Sequence, residues 1–299
     1  MSAAEPEEHA ERFTLLRPLL FTIAYEILGS ATEADDVLQE SYLRWAEVNL
    51  AEVRDTKAYL AQLVTRQALN MLRAGARRRE DYVGPWLPEP LRIDENDPST
   101  DVVLAESVSM AMLVVLETLG PDERAVFVLR EVFGFTHDEI ATAVGKSEPA
   151  VRQMAHRARA HVQARRRRFE RIDPAQSELI TTKFLTAAAT GDLQALMDLL
   201  APDVVFTSDS DGKVSAARRP VFGADKVGRL ILGLMRRAGD DYRFELAMCN
   251  GAPALVSYYR DQPDTVITVE ITGDSITNFY AMRNPDKLAS VLTSREITR

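Results

Sequence analysis

Apolar side chains recur at helical spacing through the first part of the chain. Between residues 9 and 28 they occupy the i, i+3, i+4 and i+7 positions of an amphipathic helix. Ser30, with Glu33 three residues later, has the spacing of a capping box that opens a second helix. Asp55 can cap a third helix, which carries its own apolar stripe. The pattern predicts an all-α domain over residues 1–79.

An acidic, proline-rich segment follows this helical domain. Residues 79–104 include the run WLPEPLRIDENDPST, in which the prolines exclude a continuous helix. We assign residues 80–112 to an extended, acidic linker. Helical spacing returns at Ser99–Leu119 and again at Asp122–Phe133, so a second all-α domain is predicted over residues 113–172.

This second domain ends in the pattern of a helix-turn-helix. Thr136 and Glu139 form another capping box, the short helix that they open ends at Gly145, and Ser147 can cap a longer helix. Five positions of the longer helix share the apolar spacing of a core face: Val151, Met154, Ala155, Ala158 and Val162. In a helix-turn-helix the second helix enters the major groove of DNA with its N-terminus first.

The other side of the longer helix carries residue types that bind DNA. Arg can make two hydrogen bonds to guanine and Gln two to adenine, so Arg152, Gln153 and Arg157 are candidates for base contacts. Lys146 and the run Arg165–Arg168 suit phosphate contacts, which give affinity without sequence choice. The alternative for all of these side chains is ordinary surface charge.

Residues 173–299 have a different character. Two predicted helices, Ser177–Ala189 and Leu193–Leu200, precede apolar stretches that are separated by turns. These stretches predict strands: VVFTS, RFELAMC, ALVSYYR, TVITVEIT and ITNFYAM. The pattern predicts an α+β domain, and therefore a multidomain chain in which two all-α domains precede a mixed one.

Charge is segregated along the chain, whose 299 residues carry a net charge of -9. Residues 1–55 and residues 80–120 each carry a net charge of -8, whereas residues 56–79 carry +6 and residues 121–171 carry +4. Two basic segments separated by an acidic one favour two contacts with a single polyanion. Two solvated basic helix faces are the alternative.

Composition also excludes several classes of protein. Cys249 is the single cysteine, which excludes an intramolecular disulfide and a cysteine-rich zinc site, and we expect no metal and no cofactor. No apolar run reaches the roughly 18 residues of a membrane span. The first residues, MSAAEPEEHAERF, are acidic where a signal peptide would be basic. We therefore expect a cytoplasmic protein that makes no contact with a membrane.

Both helical domains resemble parts of one known family. The stretches DDVLQESYLRW (residues 35–45) and VRDTKAYLAQLVTRQALNMLRAGARRR (residues 53–79) resemble region 2 of sigma factors of the extracytoplasmic-function (ECF) type. Residues 120–165 resemble region 4 of the same family. The resemblance implies a subunit that binds core RNA polymerase, recognises promoter DNA, melts its -10 element and starts transcription.

The resemblance also implies which side chains bind each partner. The residues implied to dock on the β-prime coiled coil of core RNA polymerase are Asp36, Gln39, Glu40 and Leu43, with a merely solvated acidic face as the alternative. Region 4 is implied to bind the β flap. The -10 element is implied to bind Lys57, Tyr59, Arg66, Asn70 and Arg73, although Tyr59 also suits a core position. The -35 element is implied to bind Lys146, Ser147, Arg152, Gln153, His156 and Arg157.

The linker and the last domain resemble one subgroup of this family, in which a SnoaL-like (NTF2-like) cone domain follows the sigma regions. Its marks are the motifs W-L-P-E-P, D-G-G-G-K and N-P-D-K-L. Trp86–Pro90 and Asn284–Leu288 match in full, whereas Asp209–Lys213 has two of the three glycines replaced. The regulatory contacts implied by these motifs are Trp86, Leu87, Pro88, Asp209, Asp211, Gly212, Lys213, Asn284, Asp286 and Lys287.

The subgroup implies a role for the extension and for the linker. The extension is implied to regulate the sigma regions in place of a separate anti-sigma factor. The linker is implied to thread the RNA exit path of polymerase, where an acidic chain can mimic RNA. We predict that the motif around Trp86 docks near Asp209–Lys213 and fixes the spacing of the two DNA-binding domains until it is released.

The sequence is compatible with three functions. The first is a sigma factor that is controlled by its fused domain. The second is a one-component helix-turn-helix transcription regulator whose NTF2-like domain binds an effector. The third is a SnoaL-like isomerase or cyclase, but all four histidines precede residue 173, and we expect no enzymatic activity. We expect a monomer, and the sequence leaves open whether the C-terminal pocket binds a small molecule.

Overall fold

The computed structural model describes residues 4–93, 102–165 and 174–299. These residues form two compact units. The helical unit contains the described residues up to Glu80, residues 102–165 and the last four residues of the chain. The C-terminal unit contains Asp81–Ile93 and residues 174–295. Of the predicted linker, Asp81–Ile93 therefore belong to the C-terminal unit, whereas residues 102–112 belong to the helical unit.

The helical unit is built, over its described residues, from short and long helices. They are α1 (Ala4–Leu28), α2 (Ala31–Trp45), α3 (Thr56–Glu80), α4 (Val102–Ser107), α5 (Met110–Leu116), α6 (Pro121–Phe127), α7 (His137–Val144) and α8 (Glu148–Arg165). The predicted caps are present: Ser30 Oγ accepts from the Glu33 amide at 3.0 Å, and Asp55 Oδ1 accepts from the Ala58 amide at 3.0 Å.

The first three helices share one apolar core. Leu20, Ile23 and Ile27 of α1 are completely buried, as the helical spacing predicts. Trp45 closes the core at the end of α2, where its indole nitrogen donates to the carbonyl oxygen of His9 at 2.9 Å. A buried indole needs such a partner, so this bond fixes how α2 lies against α1.

Two predicted helices differ from the structure. The helix expected over Ser99–Leu119 is divided into α4 and α5, because Ser109 Oγ accepts from the Met112 amide at 3.2 Å and caps a new helix. Its first residues, 99–101, lie outside the described residues. The helix expected to continue to Phe133 changes after α6 into a π-helical turn at Val128–Val132.

The C-terminal unit combines helices with one sheet, which confirms the predicted α+β class. Its elements are α9 (Pro174–Thr190), α10 (Leu193–Leu199), β1 (Leu200–Asp209), β2 (Val221–Phe222), α11 (Ala224–Arg237), β3 (Tyr242–Cys249), β4 (Ala252–Tyr259), β5 (Gln262–Thr272) and β6 (Ser275–Met282). Two 3-10 turns, Pro285–Lys287 and Ala289–Val291, follow the last strand. Helix α11 and the two-residue strand β2 are not among the elements predicted from the sequence.

The sheet has the order β2-β1-β6-β5-β4-β3, with β1 parallel to β6 and the other neighbours antiparallel. Its core lies between one face of the sheet and the helices α9, α10 and α11. Phe279 is central: its ring lies 5.3 Å from that of Phe184 and 5.9 Å from that of Phe206. Helices packed on one face of a six-stranded sheet give the expected cone-type domain.

Candidate nucleic-acid interface and linker clamp

The predicted helix-turn-helix is formed by α7 and α8. Thr136 and Glu139 make both bonds of the capping box at the start of α7. Gly145 ends α7 with a φ of 69°, the left-handed conformation that glycine adopts without a steric cost. The turn then places Lys146 and Ser147 in solvent directly before α8.

The two sides of α8 are divided as its spacing predicts. The five apolar positions from Val151 to Val162 are buried. The predicted -35 contacts on the helix are exposed: Arg152, Gln153, His156 and Arg157. Arg152 pairs with Glu148 at 2.6 Å and Arg157 with Glu123 at 3.1 Å. Exposed pairs of this kind contribute little stability, so DNA phosphates or bases can replace these carboxylates. Of the predicted phosphate-binding run, Arg166–Arg168 lie outside the described residues.

The predicted polymerase-binding side chains form one exposed stripe on α2. Asp36, Gln39, Glu40 and Leu43 all face solvent, and the Leu43 side chain is 63% exposed. An apolar side chain exposed among acidic ones is typical of the centre of a protein interface with a polar rim. The spacing i, i+3, i+4, i+7 puts the four residues on one face of the helix.

The predicted -10 contacts lie along α3. Lys57, Arg66, Asn70 and Arg73 are exposed. Tyr59 is 36% exposed, and its ring lies 5.7 Å from the ring of Trp45. Tyr59 therefore combines a packed ring face with an accessible one, which suits an aromatic ring that stacks on an unpaired base.

Within the helical unit, α3 packs on the helix-turn-helix through a set of bonds that we name the closed contact: Gln62, Arg66, Arg73, Asp122, Thr142, Ala143 and Lys146. Arg66 Nη2 donates to the Thr142 carbonyl oxygen at 2.8 Å, and Gln62 donates to the same oxygen at 3.2 Å. Helix carbonyls near a C-terminus lack an intrahelical partner, so these donors satisfy the end of α7.

Asp122 is the charged centre of the closed contact. It pairs with Arg73 at 2.5 Å and with Lys146 at 2.9 Å. Burial acts to raise the pKa of Asp122, but hydrogen bonds from Lys146 and Arg73 outweigh it and hold the pKa below its usual value. Sequence reasoning missed this residue, because its two partners are contributed by elements far apart in the chain.

A second polar junction, this one buried, lies where α1, α4 and α6 meet. Ser107 Oγ donates to Glu26 Oε1 at 2.7 Å, and Arg124 Nε donates to the carbonyl oxygen of Glu26 at 2.9 Å. Burial raises the pKa of Glu26 to about 8, against the hydrogen bond from Ser107 and the charge of Arg124. Glu26 is therefore largely protonated at pH 7.

In the C-terminal unit, two linker residues, Tyr82 and Leu87, are hydrogen-bonded to Asp209, Asn284 and Lys287. We name these five residues the linker clamp. The Asp209 carboxylate is completely buried. It accepts from the Leu87 amide at 2.8 Å, from the Tyr82 hydroxyl at 2.5 Å and from Lys287 Nζ at 2.8 Å. A buried carboxylate is stable only with such partners, and two of these three come from the linker.

Lys287 completes the clamp from the other side. Its Nζ also donates to the Leu87 carbonyl oxygen at 2.8 Å and lies 4.0 Å from the centre of the Trp86 ring. Asn284 donates to the Tyr82 hydroxyl at 2.8 Å. Burial and the hydrogen bond to Asp209 raise the pKa of Tyr82, so this hydroxyl stays protonated. Trp86 is half-buried over the lysine, an arrangement that favours a cation–π contact.

The loop after Asp209 keeps its turn although two of its expected glycines are replaced. Asp211 adopts a φ of 49°, which Asp tolerates better than most residues, and its Oδ1 accepts from the Val83 amide at 3.2 Å. Gly212 has a φ of 67°, and a Cβ at this position would lie 3.1 Å from Val83 Cγ1. Lys213 pairs with Asp286 at 2.5 Å. The structure thus brings the predicted regulatory residues of the linker, of this loop and of the last turns together.

The rest of the docked linker extends the sheet beyond β3. Leu91 and Asn250 exchange two hydrogen bonds of 2.9 Å, and the Ile93 amide donates to the Met248 carbonyl oxygen at 3.1 Å. Leu87, Pro88, Leu91 and Ile93 are buried. Sequence reasoning missed Asn250; the Asn-Gly pair at residues 250–251 is a hairpin-turn signal that could have indicated it.

The described residues contain no cluster of three or more His, Cys, Asp or Glu side chains suited to a metal ion. Over the same residues, none of the helices is both long enough and apolar enough to cross a membrane.

Comparison with known proteins identifies the family. Residues 13–78 match Sigma-70 region 2, and residues 109–162 match Sigma-70, region 4. The chain is 39% identical over 287 residues to the ECF RNA polymerase sigma factor SigJ of Mycobacterium tuberculosis, covering 92% of this chain and 91% of that protein. It is 31% identical over 277 residues to a probable ECF RNA polymerase sigma factor, SigI, of the same species, covering 91% and 92%.

The solved structures agree with the sequence comparison. The crystal structure of the Mycobacterium tuberculosis extracytoplasmic function sigma factor SigJ superposes with a TM-score of 0.76 at 35% identity. The match covers 94% of this chain and 98% of that one, so it includes the C-terminal unit as well as both sigma regions. The chain is therefore a member of the ECF family of RNA polymerase sigma factors.

Proposed function

We propose that this sigma factor alternates between a closed state, in which the linker clamp and the closed contact are formed, and an open state that binds core RNA polymerase and promoter DNA. In the open state the stripe on α2 binds the β-prime coiled coil, α3 binds the -10 element and α8 binds the -35 element. The C-terminal unit regulates this equilibrium by holding the linker.

The geometry of the helical unit supports the need for opening. The -10 and -35 elements lie about 25 base pairs apart, which is about 85 Å of B-DNA at about 3.4 Å per base pair. Arg66 of the -10 helix lies 2.8 Å from Thr142 of the helix-turn-helix. Both elements cannot be bound while this bond is intact, so the closed contact must break before a promoter is engaged.

The linker clamp is the observation that supports regulation by the C-terminal unit. A linker whose Leu87 backbone is bonded at both its amide and its carbonyl oxygen cannot at the same time thread a channel of polymerase. The Tyr82 hydroxyl and the Leu87 amide both donate to the charged Asp209 carboxylate, and hydrogen bonds to charged groups contribute about 1.5–3 kcal/mol each, which stabilises the docked linker. Docking and polymerase binding therefore compete for one segment.

Asp209→Asn tests the proposal in the full-length chain. The change keeps the side chain's shape but removes the negative charge to which the linker donates from the Tyr82 hydroxyl and the Leu87 amide, so the linker is released. We expect faster hydrogen exchange in residues 82–93, tighter binding to core RNA polymerase at limiting sigma factor, and more run-off transcript from a cognate promoter. Tyr82→Phe, which removes the bond donated to Asp209, worth about 1.5–3 kcal/mol, and the bond accepted from Asn284, is the alternative variant if Asp209→Asn fails to fold.

Asp225→Asn is the matched control, because Asp225 forms an exposed pair with Arg229 on α11 at 2.8 Å and lies outside the clamp. It should leave linker exchange and transcription unchanged. The proposal is wrong if exchange in residues 82–93 accelerates in a folded clamp variant while polymerase binding and transcription stay at the wild-type level.

A further inference from the structure

The C-terminal unit contains a cavity of about 490 Å³ between the sheet and α11. Its wall is mainly apolar and includes Phe206, Leu230, Leu234, Phe244, Leu255 and Ile267. Leu255 is paired with Ile267 across β4 and β5, and Ile267 with Ala281 of β6. Phe206 of β1 is paired with Phe279, two residues before Ala281, so all these side chains lie on one face of the sheet. A cavity of this volume with an apolar wall is the size that accepts a small organic molecule.

One end of the cavity is polar, and its Asp264–Arg283 pair carries no net charge. Arg237 also lines the cavity, but it is exposed, so solvent screens its charge. Arg283 Nη2 donates to both carboxylate oxygens of Asp264, at 2.9 and 3.1 Å, and Arg283 Nε donates to Thr265 Oγ1 at 3.0 Å. Arg283 Nη1 donates to the Ser215 carbonyl oxygen. A ligand carboxylate would have to displace Asp264 from the guanidinium, whereas a hydroxyl or a carbonyl can join this network without separating the ion pair.

We propose that this cavity binds an uncharged, largely apolar small molecule with a hydroxyl or carbonyl group at one end. The apolar body lies against the sheet and α11. The polar group is directed at Arg283, Asp264 and the hydroxyl of Ser257, which lines the same end and is 7% exposed.

The cavity and the linker clamp are connected through residues that are adjacent in the chain. Ser208 and Arg283 line the cavity, and the next residue of each, Asp209 and Asn284, belongs to the clamp. The Arg283 amide donates to the Asp209 carbonyl oxygen at 2.7 Å, which ties the two strand ends together. Successive residues of a strand point to opposite faces, so one face of these ends holds the ligand and the other holds the linker.

This connection determines how ligand binding affects the docking of the linker. A ligand oxygen that accepts from Arg283 competes with the Ser215 carbonyl oxygen for the same guanidinium. Ser215 follows the Asp209–Lys213 loop, so loss of its bond loosens the loop that holds Val83. Binding therefore releases the linker, with a coupling of about 5- to 150-fold, the range found between linked sites. This coupling rests on the proposed function of the linker clamp, whereas binding itself does not.

A matched pair of probes tests the site in the full-length chain: 2-naphthol, which is uncharged at pH 7, and 2-naphthoate, which has the same rings and a carboxylate. Titration calorimetry should give one saturable site for 2-naphthol and at least tenfold weaker binding of 2-naphthoate. Leu234→Trp fills the cavity from α11, at a side chain that is 38% exposed, and should weaken 2-naphthol binding at least tenfold. Leu179→Trp, at an exposed position of α9, should leave it unchanged.

Three results would overturn the site: no saturable binding of 2-naphthol, equal binding of the two probes, or equal affinity in the wild type and Leu234→Trp. The coupling is tested separately by hydrogen exchange of residues 82–93 with saturating 2-naphthol. Faster exchange supports it, and unchanged exchange overturns the coupling alone. Failure of the clamp proposal is recognised independently, by a released linker in Asp209→Asn without any change in transcription.

Discussion

Glu26 is a single buried carboxyl group whose protonation depends on the fold. Its pKa is about 8 in the folded chain, against 4.5 for an ordinary glutamate. The folded state therefore holds one more proton than the unfolded state between these values, and stability falls as pH rises through this range. We expect a slope of at most about 1.4 kcal/mol per pH unit from this group, steepest between the two values.

Glu26→Gln removes this titration and should flatten the decline in the free energy of unfolding between pH 5.5 and 7.5, measured by urea titration. Gln also keeps the acceptor that Ser107 requires. Glu40→Gln, on the exposed stripe of α2, is the control and should leave the slope unchanged. A wild-type slope in Glu26→Gln would show that another group is responsible.

Two side chains of α8 distinguish base recognition from phosphate binding. Gln153 is exposed near the start of the helix, where side chains face base edges, whereas Arg165 is its last residue. Gln153→Ala should reduce discrimination at one base pair of the -35 element by about 1–3 kcal/mol, and Arg165→Ala should weaken all promoters alike while lowering the salt slope by about 1. Binding to a set of single-base promoter variants at several salt concentrations measures both; equal behaviour of the two variants contradicts the assignment.

At the scale of single elements, residue spacing predicted the buried faces and the caps of helices. The faces of α8 and the caps of α2, α3 and α7 follow from residues within a few positions of one another, so the sequence contains the full signal. Helix α11 was missed even though Val227, Leu230, Ile231 and Leu234 have helical spacing. The break at Ser109 was missed because a serine within an apolar run caps a new helix only when its hydroxyl accepts a hydrogen bond from a backbone amide.

The closed contact can be weakened without substituting a residue that is predicted to bind DNA. Asp122→Asn removes the charge that binds Arg73 and Lys146 together. We expect the open population to rise, seen as a longer distance between spin labels placed at exposed positions of α2 and α8, and both basic side chains to become available to DNA. Asp138→Asn removes a charge of the same sign from an exposed position of α7 and serves as the control. Equal label distances in the two variants would contradict the role of Asp122.

At the scale of the whole molecule, the classes of the domains and their order were predictable, but their contacts were only partly so. The linker motif and Asp209–Lys213 were expected to meet because the family pairs those motifs, and the structure brings them together. The closed contact had no such signal, because Arg66 meets backbone carbonyl oxygens and any helix end offers these. Asn250 and Asp264 likewise depend on the register of strands, which alternation alone leaves undetermined.

A reversible crosslink between linker and C-terminal unit tests regulation in the intact protein. A Cβ on Gly212 would lie 3.3 Å from Val83 Cβ, and disulfides need a separation of about 3.5–4.5 Å, so a shift of a few tenths of an ångström suffices. Val83→Cys combined with Gly212→Cys should therefore form a disulfide on oxidation. Burial raises the pKa of the one native thiol, Cys249, to about 12, so it stays protonated and does not compete.

In the oxidised double variant the linker stays docked, whereas in the reduced form of the same protein it is free to undock. If the docked linker excludes polymerase, oxidation should abolish run-off transcription and reduction should restore it, while each single cysteine variant stays active under both conditions. The left-handed φ at position 212 strains any residue with a Cβ, by about 1–2 kcal/mol, and the single Gly212→Cys variant measures that effect alone. Full activity of the crosslinked protein would mean that sigma factor and polymerase function with the linker still docked, and regulation would then have to act through the closed contact.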